Sequence, residues 1–243
     1  MEKIKKYTKK VSYSYTLGAF PTIEMINKRP DLIRQVYIRE DFNDKKKLID
    51  LLESKGLNYS INNKMINKLS NKDNVYVVGV FNKFDSPLKD GNHLVLNEIS
   101  DMGNLGTIIR TMSGFNMLDL ALIGNVADIY NPRTIRASMG SIFNIRFKHF
   151  ENIEAYLEEY PDRKLYMFML SRNQNDSIYR QKEEGKYSLV FGNEGSGLPE
   201  SYEKYGRKVF IPQSDLIDSF NLPIAVSMGL YEFNRYIKEG IDE

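Results

Sequence analysis

Blocks of apolar and polar residues divide the second half of the chain into alternating strands and helices. Five short runs are apolar throughout, and each leads through a loop or turn into a helix-like segment. This pattern is typical of parallel strands that are covered on both faces. The predicted strands are residues 93–96, 118–123, 165–170, 188–191 and 208–211. The predicted helices are residues 104–113, 132–138, 152–159, 200–205 and 222–237.

The first third of the chain has a pattern of its own. It is followed by a polar stretch, residues 84–92, whose Ser-Pro and Asp-Gly pairs are typical of a linker or a long turn. Before this stretch the pattern predicts helices at 21–28, 44–54 and 64–69 and strands at 35–38, 57–61 and 75–81. We therefore expect an α/β protein with two domains, a small α/β module at 1–88 and a larger parallel-sheet domain at 89–243.

The composition excludes several classes of chemistry. The 243 residues are 42% hydrophobic and 27% charged, as in an ordinary globular protein. No apolar run approaches the roughly 20 residues of a membrane span, and no signal region follows the basic N-terminus, so we expect a cytoplasmic protein. There is no Cys, and His93 and His149 are isolated. We accordingly expect no disulfide, no thiolate nucleophile and no metal site.

The charge is distributed unevenly. Residues 1–88 carry 17 Lys and Arg against 10 Asp and Glu, a balance of +7, and the remainder has a balance of −5. The first third is therefore the candidate for binding a polyanion. Its N-terminus interleaves five lysines with three tyrosines, which would suit phosphate contact and base stacking, although a solvated, partly disordered tail remains an alternative. These residues are Lys3, Lys5, Lys6, Lys9, Lys10, Tyr7, Tyr13 and Tyr15.

Three loops that follow predicted strands carry polar side chains suited to a composite site. Because ligands bind at the carboxyl ends of parallel strands, we expect these loops to meet. The middle loop, Gly192 to Gly197, lacks the Lys-Ser/Thr ending of a phosphate loop, and its internal Glu194 would repel a diphosphate. Turn formation and helix capping are the alternative explanation for each loop taken alone. The candidate site residues are Asn104, Arg110, Glu194, Ser219 and Asn221.

At these loops the chain resembles the SpoU family of RNA 2′-O-ribose methyltransferases, within the trefoil-knot superfamily. The family's first motif is matched by Asp101, Asn104, Gly106 and Arg110, with Met102 where proline is usual. The second is matched by Gly192, Asn193, Glu194 and Gly197. The third is matched by Ile211, Pro212, Ser219 and Asn221, with Phe220 in place of leucine. The stretch 131–140 is also similar to the family, and residues 18–24 resemble a small ribosomal-protein-like RNA-binding module.

The resemblance implies S-adenosylmethionine (AdoMet) as methyl donor, a trefoil knot and a homodimer. By position, Gly192, Ile211 and Phe220 would line the cofactor pocket. Arg110 is the family's catalytic arginine. Because a guanidinium is a poor proton acceptor near neutrality, we expect it to hold the target phosphate and to stabilise the developing alkoxide.

The other site residues receive supporting roles from the same resemblance. Asn104 and Asn221 are expected to position the substrate through hydrogen bonds, and Ser219 to bridge the motifs. Glu194 is expected to pair with Arg110 or with Asn104. Met102 in place of proline is expected to loosen the turn before Asn104.

The sequence is compatible with more than one RNA target and more than one class of function. A separate N-terminal module favours ribosomal RNA over transfer RNA, and a drug-resistance methyltransferase of the same layout stays an alternative. An inactive RNA-binding protein of this fold is a second class of function, against which the complete set of motif residues argues. A nucleotide-binding α/β enzyme is a third, and it lacks the phosphate loop that it would need.

Overall fold

The computed structural model describes residues 4–70, 72, 74–171, 173–181 and 185–239, the last four by their backbone only. The chain forms two compact units. Unit 1 contains the chain up to Phe84 together with Asp128–Asn144, and unit 2 contains Asp85–Ala127 together with the chain from Ile145 onwards. None of the described helices is long and apolar enough to cross a membrane.

Unit 1 is built on a four-stranded sheet with the order β1-β4-β2-β3. Strand β4 runs antiparallel to β1 and β2, whereas β3 runs parallel to β2. Because successive side chains of β4 point to opposite faces, Val78 and Val80 enter one hydrophobic cluster and Val77 enters another. The elements are β1 (Tyr13–Tyr15), α1 (Ala19–Lys28), β2 (Ile33–Ile38), α2 (Lys45–Ser54), β3 (Tyr59–Ile61), α3 (Asn63–Leu69) and β4 (Val77–Asn82).

The predicted elements of this region are confirmed, and β1 is an addition to them. It contains Tyr13 and Tyr15, which are buried in the core. The prediction that these two tyrosines stack on bases is therefore wrong, since neither ring reaches the surface. Lys3 lies outside the described residues.

A segment from the second half of the sequence completes unit 1. It contains α5 (Pro132–Ala137), which begins after the capping residue Asn131. The Ser14 hydroxyl donates to the Tyr130 carbonyl oxygen over 2.5 Å, and the Phe84 N–H donates to the Tyr130 hydroxyl over 3.0 Å. Gly140 has φ 85°, and a Cβ there would lie 2.9–3.0 Å from atoms of Glu24 and Pro21. The compact units thus differ from the predicted domains, which assign the whole of 89–243 to one domain.

Unit 2 is built on a six-stranded sheet with the order β10-β8-β9-β5-β6-β7. All neighbouring strands are parallel, which confirms the predicted sheet type. The strands are β5 (His93–Asn97), β6 (Asp119–Ile123), β7 (Arg146–Phe150), β8 (Lys164–Phe168), β9 (Tyr187–Phe191) and β10 (Arg207–Val209). The helices are α4 (Met102–Gly114), α6 (Ile153–Glu159) and α7 (Leu222–Glu239).

Both faces of this sheet are covered. Ile153 and Tyr156 of α6 pack against Val95 and Val190 on one face. The alternate residues of the same strands point to the other face, where α4 packs against α7. Edge strand β7 was not predicted, and residues 200–205 form a 3₁₀ helix where an α-helix was predicted. The trefoil knot that the resemblance implies stays a prediction.

A buried histidine anchors the amino-terminal edge of the sheet. The His93 Nε2 contacts the Lys89 carbonyl oxygen at 2.7 Å, and its Nδ1 contacts the Tyr156 hydroxyl at 2.8 Å. The carbonyl can only accept, so Nε2 donates; in a neutral imidazole Nδ1 then has no proton and accepts from the Tyr156 hydroxyl. Burial lowers the pKa of His93 from 6.5 to about 4. The histidine is therefore neutral in the folded protein at pH 7.

We expect this histidine to make the protein less stable in mild acid. In the unfolded chain His93 is protonated below about pH 6.5, whereas in the folded chain it stays neutral down to about pH 4. The contribution of neutral His93 to the free energy of unfolding is therefore fully present above pH 6.5. It is lost as the pH falls from 6.5 to about 4, by about 3 kcal/mol in total. Urea unfolding at pH 7 and pH 4.5 should show a smaller loss for His93→Gln than for the wild type. Equal losses for both proteins would show that other groups cause the acid sensitivity.

Candidate active site

The first site loop connects β5 to α4. The side chain of Asp101 accepts a hydrogen bond from the Asn104 N–H over 2.8 Å and so caps the amino terminus of α4. The helix begins at Met102, two residues before the predicted start, so Asn104 lies in its first turn. Proline is common at the first helical position because the N–H there has no helical partner. Methionine leaves this N–H in place, and the Asp101 cap fixes the turn that the substitution was expected to loosen.

Arg110 lies further along the same helix. Gly103 and Gly106 precede it by seven and four residues, so all three lie on one face of α4. Helical side chains lean towards the amino terminus, so the side chain of Arg110 is expected to lean towards Gly106. Arg110 is exposed and makes no hydrogen bond or ion pair with the residues that the structure describes. Its guanidinium is available to an external anion.

The second loop follows β9 and is folded tightly on itself. Asn193 and Gly197 exchange backbone hydrogen bonds of 3.2 and 3.0 Å. The Asn193 side chain accepts from the N–H groups of Gly195 and Ser196 and donates to the Glu98 carbonyl oxygen over 2.8 Å. A Cβ at Gly192 would lie 2.2–2.3 Å from backbone atoms of Gly197 and Leu198. Only glycine fits at position 192, because no side-chain movement can relieve a clash with backbone.

Glu194 joins the second loop to the first. Its carboxylate accepts hydrogen bonds from the N–H groups of Ser100 and Asp101, each over 3.3 Å. It also accepts one from the Asn104 side-chain amide over 3.2 Å. Two partners were expected for Glu194. The structure shows a hydrogen bond with Asn104 and no contact with Arg110 among the described interactions. The carboxylate holds the amide of Asn104 in a fixed orientation.

The third loop runs from the end of β10 to α7. The Gln213 side chain donates to the Asp218 carbonyl oxygen over 2.8 Å and so closes the loop. The Asn221 carbonyl oxygen accepts from the N–H groups of Ile224 and Ala225, which starts α7. The side chains of Ser219 and Asn221 are exposed and make no hydrogen bond with residues in the described part of the chain.

The second and third loops enclose a cavity of about 340 Å³ at the carboxyl edge of the sheet. This volume lies at the lower end of the range for small-molecule sites. Gly192, Ile211 and Phe220, the three residues predicted to bind the cofactor, all line it, as do Glu194 and Ser219. Asn104, Arg110 and Asn221 do not line it. Asn104 is nevertheless linked to the cavity through Glu194.

The aromatic floor of this cavity was not predicted from the sequence. Phe168, at the end of β8, and Phe191, at the end of β9, stack with ring centroids 4.1 Å apart and planes at 17°. A Cβ at Gly229 of α7 would lie 2.9 Å from Phe191 and 3.0 Å from Phe168. Gly229 therefore allows α7 to approach these rings. The position of Phe168 at a strand end was the available signal, but the pairing of β8 with β9 was not visible in the sequence.

The charged lining of the cavity is mainly acidic. Glu194, Glu200 and Glu203 line it together with one cation, Lys208. Lys208 forms an ion pair with Glu203, which leaves two carboxylates without a cationic partner in the cavity. Such a lining favours a ligand with positive charge over a diphosphate.

Comparisons with known proteins agree with these motifs. Residues 91–231 match the model of the SpoU rRNA Methylase family. The 23S rRNA (guanosine(2553)-2′-O)-methyltransferase RlmP of Bacillus subtilis is 28% identical over 140 residues, which are 57% of this chain and 56% of RlmP. The chain matches about half the length of this relative and of a Synechocystis relative, of which it covers 52%.

Two solved structures extend the comparison. An AdoMet-bound rRNA methyltransferase from Sinorhizobium meliloti has a TM-score of 0.77 and 27% identity, and the match covers 93% of this chain and 88% of that one. A protein studied for 2′-OH methylation of C/U34 on tRNA has a TM-score of 0.56 and 27% identity, and that match covers 60% of this chain and 96% of the other. The family match covers more than half of the chain and includes the first two motif loops and the third up to α7. The chain belongs to the SpoU rRNA methylase family.

Proposed function

We propose that this protein transfers a methyl group from AdoMet to a ribose 2′-hydroxyl of RNA. The observation that carries the proposal is the meeting of the second and third family motifs around one cavity in unit 2, with the first motif joined to them by the hydrogen bond from Asn104 to Glu194. The residues present fit AdoMet. Gly192 permits close approach to backbone, the stacked Phe168 and Phe191 provide an apolar floor, and the acidic lining suits a cationic ligand.

Some of the site residues would bind the cofactor, and the others would act on the RNA. Gly192, Ile211 and Phe220 would hold the cofactor through backbone groups and apolar contact. AdoMet supplies a methyl group that is already activated by its sulfonium. The remaining task is to orient the hydroxyl and to stabilise charge developing on its oxygen.

Polar side chains on and beside the cavity wall would carry out this task. Asn104, held by Glu194, and Asn221 would position the acceptor ribose through hydrogen bonds, and Ser219, on the wall, would bridge the motifs. Arg110 would bind the target phosphate and stabilise the alkoxide as it forms. An arginine does this as a permanent cation with a planar donor fork. The proton would leave to the phosphate or to water.

Ribosomal RNA is the favoured substrate. The rRNA methyltransferase from Sinorhizobium meliloti matches 93% of this chain, and so includes a counterpart of unit 1. The tRNA-related structure matches only 60% of this chain although nearly all of itself is matched. Transfer RNA is the alternative. Either substrate implies an enzyme of the cytoplasm.

A homodimer is part of this proposal. Ile224, Met228 and Tyr231 form a stripe along α7 and are 49%, 36% and 61% exposed. Their spacing places them on one face of the helix, opposite the face that carries Gly229. A second copy of the chain would cover this stripe. Sedimentation equilibrium should give twice the mass of one chain, and Met228→Lys should shift the protein towards monomer.

The decisive experiment measures methyl transfer. Full-length protein is incubated with methyl-labelled AdoMet and with ribosomal or transfer RNA from cells that lack the gene. We expect label in one RNA fraction, at a nucleotide whose 3′ phosphodiester resists alkali, and a higher Tm in the presence of AdoMet because ligand binding stabilises the folded state. Label on a base would refute ribose methylation. Cofactor binding without transfer to either RNA would support the inactive RNA-binding alternative, and no cofactor binding by a folded protein would refute the proposal.

A further inference from the structure

The chain before β1, residues 4–12, lies on unit 1 and is held there by cations. The Lys68 Nζ donates to the Ile4 carbonyl oxygen over 2.8 Å, and the Lys83 Nζ donates to the Lys9 carbonyl oxygen over 2.9 Å. The Arg34 guanidinium donates to the Ser12 hydroxyl over 2.9 Å. Each of these acceptors is an uncharged oxygen, so the contacts fix the segment without neutralising any charge.

The hydroxyl groups of two buried tyrosines also hold the backbone of this segment. The Lys5 N–H donates to the Tyr13 hydroxyl over 2.8 Å, and the Tyr7 N–H donates to the Tyr15 hydroxyl over 3.2 Å. The Lys83 ammonium lies 4.9 Å from the centre of the Tyr7 ring. The tyrosine hydroxyls thus hold the backbone of the lysine-bearing segment, and the tyrosine rings pack against the protein instead of being open for stacking on bases. This arrangement makes the segment an ordered surface with its lysine side chains outward.

Positive charge accumulates on this surface, which we name the cationic platform. No Asp or Glu occurs in residues 4–12, and Lys5, Lys9 and Lys10 are exposed. One acid of unit 1, Asp128, lies against the segment and accepts a hydrogen bond from the Tyr7 hydroxyl over 2.5 Å. The cationic members of the platform are Lys5, Lys6, Lys9, Lys10, Arg34, Lys68 and Lys83.

Near α2, by contrast, cations of unit 1 form ion pairs with carboxylates. Near the end of β2 and the start of α2, Arg39 pairs with Asp41, Lys45 with Glu40, and Lys47 with Asp44. Those cations are neutralised within the protein. On the platform, burial lowers the pKa of Lys83; the carboxylate of Asp128 raises this pKa, and the nearby charge of Lys9 lowers it. Crowding of like charges weakens a fold unless an anion compensates it, so the platform has the properties of an anion-binding surface.

We infer that the cationic platform binds the phosphate backbone of the RNA substrate. The inference rests on the proposed function for the identity of the polyanion, and it goes further by assigning the contact to residues 4–12 and the cations that hold them. Lysines contact phosphates as point charges without reading sequence, so the platform adds affinity and leaves the choice of nucleotide to unit 2. Its contribution therefore depends on salt and not on RNA sequence.

The test compares two double variants with the same change of charge. Lys9→Gln/Lys10→Gln removes two exposed platform lysines, and Lys46→Gln/Lys55→Gln removes two exposed lysines of or beside α2. Binding of ribosomal RNA from cells that lack the gene is measured by filter retention between 50 and 300 mM KCl. Each lost phosphate contact lowers the slope of log K against log salt by about 1. For the platform variant we therefore expect weaker RNA binding and a slope whose magnitude is smaller by about 2. The control variant should bind with the affinity and the slope of the wild type.

The outcomes separate the platform from the proposed function. Calorimetry with AdoMet should give the same Kd for both variants and for the wild type, because none of the four lysines lines the cavity. If the platform variant binds RNA with the slope of the control, the inference is overturned, while the enzymatic function stands. If the wild type binds AdoMet but binds no RNA at any salt concentration, both the inference and the RNA substrate are refuted.

Discussion

Replacing Arg110 with alanine should lower the rate of methyl transfer about 100-fold or more and leave AdoMet binding unchanged. Removal of one preorganised group that stabilises a developing charge costs about 10²–10³ in rate. Arg110 is exposed on α4 and does not line the cavity, so its replacement should leave the Kd for AdoMet unchanged. Single-turnover methyl transfer and calorimetry with AdoMet measure the two effects separately.

Two further variants test this role of Arg110. Arg207→Ala is the matched control, because Arg207 is also exposed in unit 2 and also does not line the cavity, but belongs to β10 and to none of the three motifs. It should keep the wild-type rate. Arg110→Lys keeps the positive charge without the planar fork, so substantial activity would indicate simple charge stabilisation. Normal turnover in Arg110→Ala would remove Arg110 from the proposed mechanism.

Replacing Gly192 with alanine should weaken AdoMet binding strongly. The new Cβ would lie 2.2–2.3 Å from backbone atoms of Gly197 and Leu198, so the two sides of the loop would have to separate. Separation would break the hydrogen bonds between Asn193 and Gly197 that shape the cavity wall. We expect an increase in Kd of at least about 100-fold, which corresponds to about 3 kcal/mol. Calorimetry measures it.

Gly114→Ala is the control for the Gly192 variant. Gly114 also belongs to unit 2, and a Cβ there would meet nothing within 4 Å. This variant should bind AdoMet normally, with unchanged circular dichroism for both proteins. A Gly192→Ala protein that is folded and binds AdoMet as tightly as the wild type would show that the loop does not form the cofactor site.

Hydrophobic periodicity predicted most of the fold because most elements bury one complete face. It missed β7 because Arg146, Lys148 and His149 of this edge strand interrupt the apolar run, and only its two phenylalanines are buried. It missed β1 because three residues, Tyr13–Tyr15, are too short to show a period. The segment Asp128–Asn144 could not be assigned to unit 1 because its partners lie more than 40 residues away in the sequence.

The candidate site was predicted as far as it depends on loops at strand ends. Gly192, Ile211 and Phe220 meet because parallel strands bring their carboxyl ends to one edge. The Phe168–Phe191 stack depends on which strands are neighbours, and strand order is not encoded locally. The roles of Arg110, Ser219 and Asn221 stay predictions, since each involves contacts with a substrate.

The construction of unit 1 from two separate stretches of chain has a consequence for how the protein is synthesised. Its amino-terminal strands leave the ribosome first, but Ser14, Phe84 and Pro21 find their partners Tyr130 and Gly140 only after more than 40 further residues have been made. Unit 1 therefore cannot complete its core before residue 144 has emerged, by which time β5 and β6 of the second sheet are already present. We expect the two units to fold as overlapping events during translation, and a chain that ends at residue 88 to be an incomplete folding unit.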